Sequence, residues 1–428
     1  MANARELVLK GLYQIEEKGA YSNHALRCVL EDAELRPEDK SFAAELLMGV
    51  VRNKLKLDYI IMQFSKVKLK KLSPWVHEIL WMGVYQIVCM EHIPDSAACN
   101  EAVKLAGRYA HGAARGFVNG VLRSISREKA NILYPKESIE QMSVVYSCPQ
   151  WLTQKLAEQY GVEGCERILA DSHKQHAPTI RMNPLRSDSG ELVEILRAEG
   201  ISLHPNPEDP ECFYVDGALN VYGSPAYKNG LYTVQNTSSM AAVKVLNPQP
   251  GETVLDVCAA PGGKTTQIAE QMKDQGKILA WDIHPHKIAL IQAAAERLGL
   301  SCIRAEQHDA AVPVPDLEGK ADRVLADVPC SGIGVIHKKP DIKWKRKEED
   351  IPALCRIQRE ILKTVCGYVK AGGTLVYSTC TILAEENQEQ AQWFQRTYPD
   401  FELVSQQQLL TCETGGSGFY IAEFLRKR

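Results

Sequence analysis

The 428-residue chain has no apolar run near the ~20 residues that would span a bilayer. Its 13 cysteines include no Cys-x-x-Cys pair. An odd number without paired spacing argues against a disulfide framework and a zinc site, and for a reducing compartment. The stretch MANARELVLKGLYQIEEKG carries acids throughout and lacks the apolar core of a secretion signal, so a cytoplasmic protein with no membrane partner is expected. Internal repeats and low-complexity tracts are missing too. Two nucleotide signatures also fail. VLDVCAAPGGKTTQIAE contains Gly263-Lys264-Thr265, but the P-loop spacing needs a glycine where Cys258 stands. The dinucleotide pattern G-x-G-x-x-G is absent.

The net charge of −3 is small but unevenly spread. Residues 51–132 carry 13 basic and 6 acidic side chains. A local basic field on an acidic chain suits a nucleic-acid partner.

Residues 1–132 repeat apolar side chains at helical spacing and predict an all-α domain. Helix starts are expected near Asp39 and Ser73-Pro74, with Ser96 as a cap. Residues 133–170 read as a helical linker and 171–234 as a small α/β subdomain. From 235 to 428, TVLDVCA, KILAWDI, CIRAEQHDA, ADRVLADVP and GTLVYST alternate with helical stretches. That pattern predicts a doubly wound, Rossmann-like, mainly parallel sheet, so the fold class is multidomain.

Ligands of such sheets bind beyond the carboxyl ends of the strands. The turn Cys258-Ala259-Ala260-Pro261-Gly262-Gly263-Lys264 has small residues that let backbone approach a ligand. Asp282 ends the next strand, where an acid accepts ribose hydroxyls. Asp309 follows the third strand, within reach of an adenine edge. An acid for ribose without a phosphate cradle points to S-adenosylmethionine.

Cys330 in DVPCSGIGV and Cys380 in YSTCTILAEEN each fall just past an expected strand end. Cys28, Cys89, Cys355 and Cys366 read instead as members of apolar helical stripes. Methylating carbon 5 of cytosine calls for a thiol, because that carbon is a poor nucleophile until a thiolate adds to carbon 6. Lys264 or a helix N-terminus would lower the pKa of that thiol. Asp327 would hydrogen-bond the base and drain charge from its ring.

DVCAAPGGKT, DVPCSGIGV followed by KKPDIKW, and YSTCTILAEEN resemble the RNA cytosine-C5 methyltransferase (Sun) family. The resemblance implies that Cys380 is the nucleophile and that Cys330 assists product release, whereas DNA cytosine-C5 enzymes use the Pro-Cys cysteine as nucleophile. It also carries Cys258, Ala259, Ala260, Pro261, Gly262, Gly263, Lys264, Asp282, Asp309 and Asp327 to the cofactor site. Residues 1–132, with FVNGVLR, look like a NusB-type RNA-binding domain, a fusion typical of the bacterial members acting on small-subunit ribosomal RNA. The implied partner is 16S ribosomal RNA near the P site, in an unassembled or partly assembled subunit, with the enzyme a monomer. TIRMNPLR (Arg181, Asn183) matches the family's Arg-x-Asn element. In LYTVQNTSS, Asn236 stands where the family has Asp.

Of two basic runs, KVKLKKLSP (Lys66, Lys68, Lys70, Lys71) reads as a solvated face. HKKPDIKWKRK, with Trp344 inside it, reads as a phosphate-binding and base-stacking strip. The alternatives are a methyltransferase for tRNA or 23S RNA on the same scaffold, or a non-catalytic RNA-binding assembly factor. Retention of both Cys330 and Cys380 speaks against the silent version.

Overall fold

The computed structural model describes residues 4–31, 35–216 and 221–427, so part of the expected small subdomain (217–220) and the last residue lie outside the described residues. The chain forms two compact units, residues 1–173 with 336–346, and residues 174–335 with 347–428.

The first unit is helical: α1 (Ala4–Glu16), α2 (Ser22–Glu31), α3 (Pro37–Phe64), α4 (Pro74–Cys89), α5 (Asp95–Tyr109) and α6 (Gly112–Glu128). Pro37 and Pro74 open their helices, where a missing N–H leaves no bond unmade. Leu46, Leu47, Val50, Leu57 and Ile60 line one side of α3 and are fully buried in a shared core with Leu9, Leu80 and Leu122. The turn into α5 differs from the sequence expectation. The helix begins at Asp95 behind Pro94, so Ser96 lies in its first turn and is not the cap. Cys28 also departs, being exposed on α2. Helices α7 (Ser138–Val145) and α8 (Gln150–Asp171) belong to this unit, and the Ser147 hydroxyl accepts the Leu55 N–H at 2.9 Å.

The second unit holds two sheets. The small one is antiparallel, β1 (Thr179–Met182), β2 (Leu203–Asn206), β3 (Asp209–Val215) and β4 (Tyr232–Val234), in the order β2-β3-β1-β4. It carries α9 (Ser189–Ala198) and the short α10 (Pro225–Lys228). The large sheet follows α11 (Thr237–Leu246). It contains β5 (Thr253–Asp256), α12 (Gly263–Gln271), β6 (Lys277–Asp282), α13 (Pro285–Leu298), β7 (Ile303–Gln307) and β8 (Ala321–Asp327). After β8 the chain passes through residues 336–346, including α14 (Ile342–Lys345), which fold with the helical unit. It returns as α15 (Asp350–Val365), β9 (Val369–Thr379), α16 (Gln388–Thr397), β10 (Phe401–Leu409) and β11 (Phe419–Arg426). The order is β10-β11-β9-β8-β5-β6-β7, parallel from β9 to β7. β11 is antiparallel to both neighbours. Val254, Leu255, Val324, Leu325, Leu375 and Val376 are buried on both faces, as helix-covered parallel strands require.

Candidate active site

β5 ends at the buried Asp256, and the turn after it contains a cis Ala260–Pro261 bond. Gly262 has φ +104°, and a Cβ there would lie 3.2 Å from Ile291 Cα, so only glycine fits. α12 then opens at Gly263 with the unpaired N–H groups of a first turn. Burial pushes the Asp256 carboxyl up to about 7, although the Thr265 hydroxyl donates to it at 2.7 Å and Lys264 pulls the other way.

Arg181, from β1, clamps this turn. Its Nε and Nη2 donate to both Glu270 oxygens at 2.8 and 3.0 Å, its Nη1 to the Gly263 carbonyl at 3.0 Å, and its Nη2 also to Thr266 Oγ1 at 3.1 Å. Burial raises the Glu270 carboxyl above its ordinary value even against this cation. Asn183 is held inward, donating to the Gly230 carbonyl at 3.1 Å. Asn236 caps α11, its Oδ1 accepting from the N–H groups of Ser238 and Ser417, each at 3.1 Å. Both bonds use the carbonyl oxygen, an acceptor that an aspartate would equally supply.

Beyond β5, β6 and β7 lies a cavity of about 710 Å³, within the size range of small-ligand sites. Cys258, Asp282 and Asp309 line it, with Ile283, Lys287 and Ile357. Asp282 Oδ1 accepts the His284 N–H at 3.0 Å, and its other oxygen lies 3.5 Å from Lys287 Nζ. Asp309 sits two residues past β7, exposed, and accepts the Ala311 N–H at 3.0 Å. Burial, then the nearby carboxylates of Asp256, Asp327 and Asp282, push the Cys258 thiol well above its usual range, so it stays a neutral lining group. A carboxylate at a strand end, an exposed isoleucine beside it and a glycine cradle suit an adenosyl group without phosphates.

Register brings the two cysteines together. β8 and β9 are parallel neighbours with Asp327 opposite Ser378, so Cys330 and Cys380 leave adjacent strands at the same end. Their sulfurs are 3.3 Å apart, and both are partly exposed. The shared hydrogen bond, burial and the Cys380 sulfur together raise the Cys330 thiol well above its ordinary value. Lys264 Nζ lies 2.6 Å from Asp327 Oδ2, and Ser378 Oγ donates to the other oxygen at 2.8 Å. Burial alone would lower the Lys264 ammonium, but Asp327, Asp256 and the Cys380 sulfur hold it above its ordinary value. Asp327 and Lys264 therefore face each other beside the thiols, apart from the cavity lining.

The sequence reading passed over what fixes the Pro-Cys loop. The buried Glu386, from the AEEN after Cys380, accepts the Ser331 N–H at 2.8 Å, the Ser331 hydroxyl at 2.5 Å and Gln358 Nε2 at 3.0 Å. An acid doublet after the cysteine was the available signal. Asn387 closes the other side, accepting from Thr379 Oγ1 at 2.6 Å and donating to the Thr381 carbonyl at 3.0 Å.

The two basic runs behave differently. Lys66, Lys68, Lys70 and Lys71 are exposed, around the 3₁₀ turn after α3. Trp344 is half-buried: its indole N–H donates to the Val51 carbonyl at 2.7 Å and its ring packs partly against the helical core, while Lys338, Lys339 and Lys345 of the same run are exposed.

A family model described as 16S rRNA methyltransferase RsmB/F matches residues 243–423, and a NusB-family model matches 2–127. A model of the ferredoxin-like domain of RsmF/B-like methyltransferases matches 148–222. The probable ribosomal RNA small subunit methyltransferase B of Bacillus subtilis is 40% identical over 94% of this chain and 90% of its own. The ribosomal RNA small subunit methyltransferase B of Klebsiella pneumoniae is 32% identical over 100% of this chain and 99% of its own. The crystal structure of a methyltransferase homologue from Pyrococcus horikoshii has a TM-score of 0.62 at 27% identity, covering 68% of this chain and 100% of that one. S-adenosylmethionine is the methyl donor that goes with this sheet order, cavity and relationship. The chain belongs to the 16S rRNA methyltransferase RsmB/F family.

Proposed function

We propose that the protein methylates carbon 5 of a cytosine in the P-site region of 16S ribosomal RNA through a covalent adduct on Cys380. The observation that carries the reading is the pair of sulfurs 3.3 Å apart at the carboxyl ends of β8 and β9, with Lys264 and Asp327 beside them. An enzyme using one thiol has no need of the second.

The Cys380 thiolate, kept near the Lys264 ammonium, adds to carbon 6 of the ring. The carbon–sulfur bond forms and the ring electrons make carbon 5 nucleophilic. Asp327 is the acceptor for the base's amino group. S-adenosylmethionine, which Cys258 and the small-residue turn after it, Asp282 and Asp309 would hold, would supply an electrophilic methyl. Carbon 5 then holds both a methyl and a proton. In the adduct Cys330 no longer shares a hydrogen bond with a free Cys380 thiol, and to act as the base it passes its own proton to solvent. Its thiolate takes the carbon-5 proton, the ring double bond re-forms, and the Cys380 thiolate leaves.

The base must leave its stack to reach these thiols, which favours an unassembled or partly assembled subunit as substrate, met by a monomer in the cytoplasm. The basic balance of residues 51–132 supports RNA docking by the helical domain.

Two variants test the roles. Cys380→Ala should lose methyl transfer and form no protein–RNA adduct. Cys330→Ala should methylate once and stall, giving an RNA- and cofactor-dependent slow band on a denaturing gel. A band from Cys380→Ala and none from Cys330→Ala would reverse the assignment. No band from either would sink covalent catalysis.

A further inference from the structure

We infer that Glu386 and Gln358 are positioning residues that aim Cys330 at the adduct on Cys380. The inference rests on the covalent reading above and gives its release step two residues that act through Cys330. Both cysteines and both positioning residues belong to the second compact unit.

The direction of a side chain is set by the two rigid peptide groups that flank its Cα. For Cys330 both are held by one pair of side chains. The carbonyl before it, that of Pro329, accepts from Gln358 Nε2 at 3.0 Å. The N–H after it, that of Ser331, donates to Glu386 Oε1 at 2.8 Å. Gln358 Nε2 also donates to Glu386 Oε1 at 3.0 Å, which couples the two clamps. Further contacts fix the course of the loop at its two ends. The Val328 N–H donates to the Ser378 carbonyl at 3.0 Å, and the Gly334 N–H to the Cys380 carbonyl at 3.0 Å. Between those points, Glu386 and Gln358 hold the peptide groups that turn the cysteine.

The same carboxylate reaches the other cysteine. The Ser331 hydroxyl donates to Glu386 Oε2 at 2.5 Å and lies 2.8 Å from the Thr381 hydroxyl. Ser331 follows Cys330 and Thr381 follows Cys380, so the two loops that carry the sulfurs are tied together through Glu386. Tyr377, on β9, donates to the Glu386 carbonyl at 2.6 Å and fixes its backbone to the strand that leads into Cys380. Glu386, Gln358 and Ser331 are buried, and burial raises the Glu386 carboxyl above its ordinary value although Ser331, Gln358 and Thr381 all donate to it. Core packing gives no reason to carry that desolvation cost, whereas orienting the peptide groups of Cys330 does. The Cys330 sulfur must meet the carbon-5 proton at hydrogen-bond range, and a misplacement of about 1 Å costs up to roughly 100-fold in rate.

The test uses the full-length protein with 16S RNA and S-adenosylmethionine. Glu386→Gln keeps the shape but turns an N–H group toward donors. It should lower kcat by roughly 10- to 100-fold while cofactor and RNA affinities hold, with the covalent adduct accumulating as in Cys330→Ala. Gln358→Met, which carries the test if the first variant fails to fold, should move the same readouts in the same direction by less. The spacing of the thiols is read separately, without RNA. Diamide, a diazene, takes two electrons and two protons from Cys330 and Cys380, closing a disulfide and becoming a hydrazine. The linked peptides, followed by mass, should form about tenfold more slowly in the variants than in the native protein. Adduct decay in Cys330→Ala with Glu386→Gln should match Cys330→Ala alone, because both changes act on one step. Disulfide closure at the native rate, no rise in adduct, a loss confined to RNA affinity, or slower decay in the combined variant would overturn the inference while leaving the Cys330→Ala band intact. A native pair that diamide never closes would remove the contact on which it stands. Absence of the Cys330→Ala band would instead bring down the covalent reading, and the inference with it.

Discussion

Arg181→Met asks whether the small sheet holds the cofactor turn. The Arg181 and Glu270 side chains are 1% and 2% exposed, so neither has water to fall back on. Removing the guanidinium leaves a buried carboxylate unpaired and takes donors from the Gly263 carbonyl and Thr266. Breaking a buried pair from one side costs about 3–5 kcal/mol. Because a chain of several domains does not unfold in one step, the loss is best read locally. Hydrogen exchange of the α12 amides should speed up by about two to three and a half decades, at roughly 1.4 kcal/mol per decade. Cofactor affinity should fall with it. Glu270, already raised by burial, rises further without Arg181. An acid with a raised folded pKa has its stability intact below its unfolded value and loses it as pH rises, so the defect should shrink toward acid pH. Arg181→Met with Glu270→Leu should regain most of the protection, since an apolar pair of similar volume replaces a buried ion pair at little cost. A single-variant loss below about 1 kcal/mol, the scale of one ordinary hydrogen bond, would refute this account. So would a double variant as open as the sum of its parts.

Glu78 is buried in the helical unit, neither carboxylate oxygen has a hydrogen-bond partner among the described residues, and burial lifts its pKa to about 9. Its folded form is thus fully stable below about pH 4.5 and loses stability as pH rises toward 9, so Glu78→Gln should raise the melting temperature at pH 8 and change little at pH 5; equal shifts at both would refute the titration. Asp282→Ala should weaken S-adenosylmethionine binding by about 1.5–3 kcal/mol, the scale of hydrogen bonds to a charged group. Unchanged affinity by calorimetry in a folded variant would remove Asp282 from the site.

The sequence by itself determined the fold class and the two motif cysteines. Apolar periods of helix and buried strand are written locally, so the all-helical start and the strand–helix repeats around Asp256, Asp282 and Asp327 are legible without coordinates. The failed P-loop spacing at Cys258 is equally local. Tertiary structure alone decided what meets what. Cys330 and Cys380 are 50 positions apart, and only the pairing of β8 with β9 sets their sulfurs at 3.3 Å. Glu386 under Ser331 and Arg181 under α12 depend on the same long-range folding. Trp344 shows why local reading stops there. A lysine-rich strip with one aromatic has the composition of an exposed RNA-binding face, yet Lys343 is buried and Trp344 half-buried against a helix nearly three hundred positions upstream, while Lys338, Lys339 and Lys345 stay exposed. Composition records a segment's chemistry and carries no record of which distant surface will take it out of water.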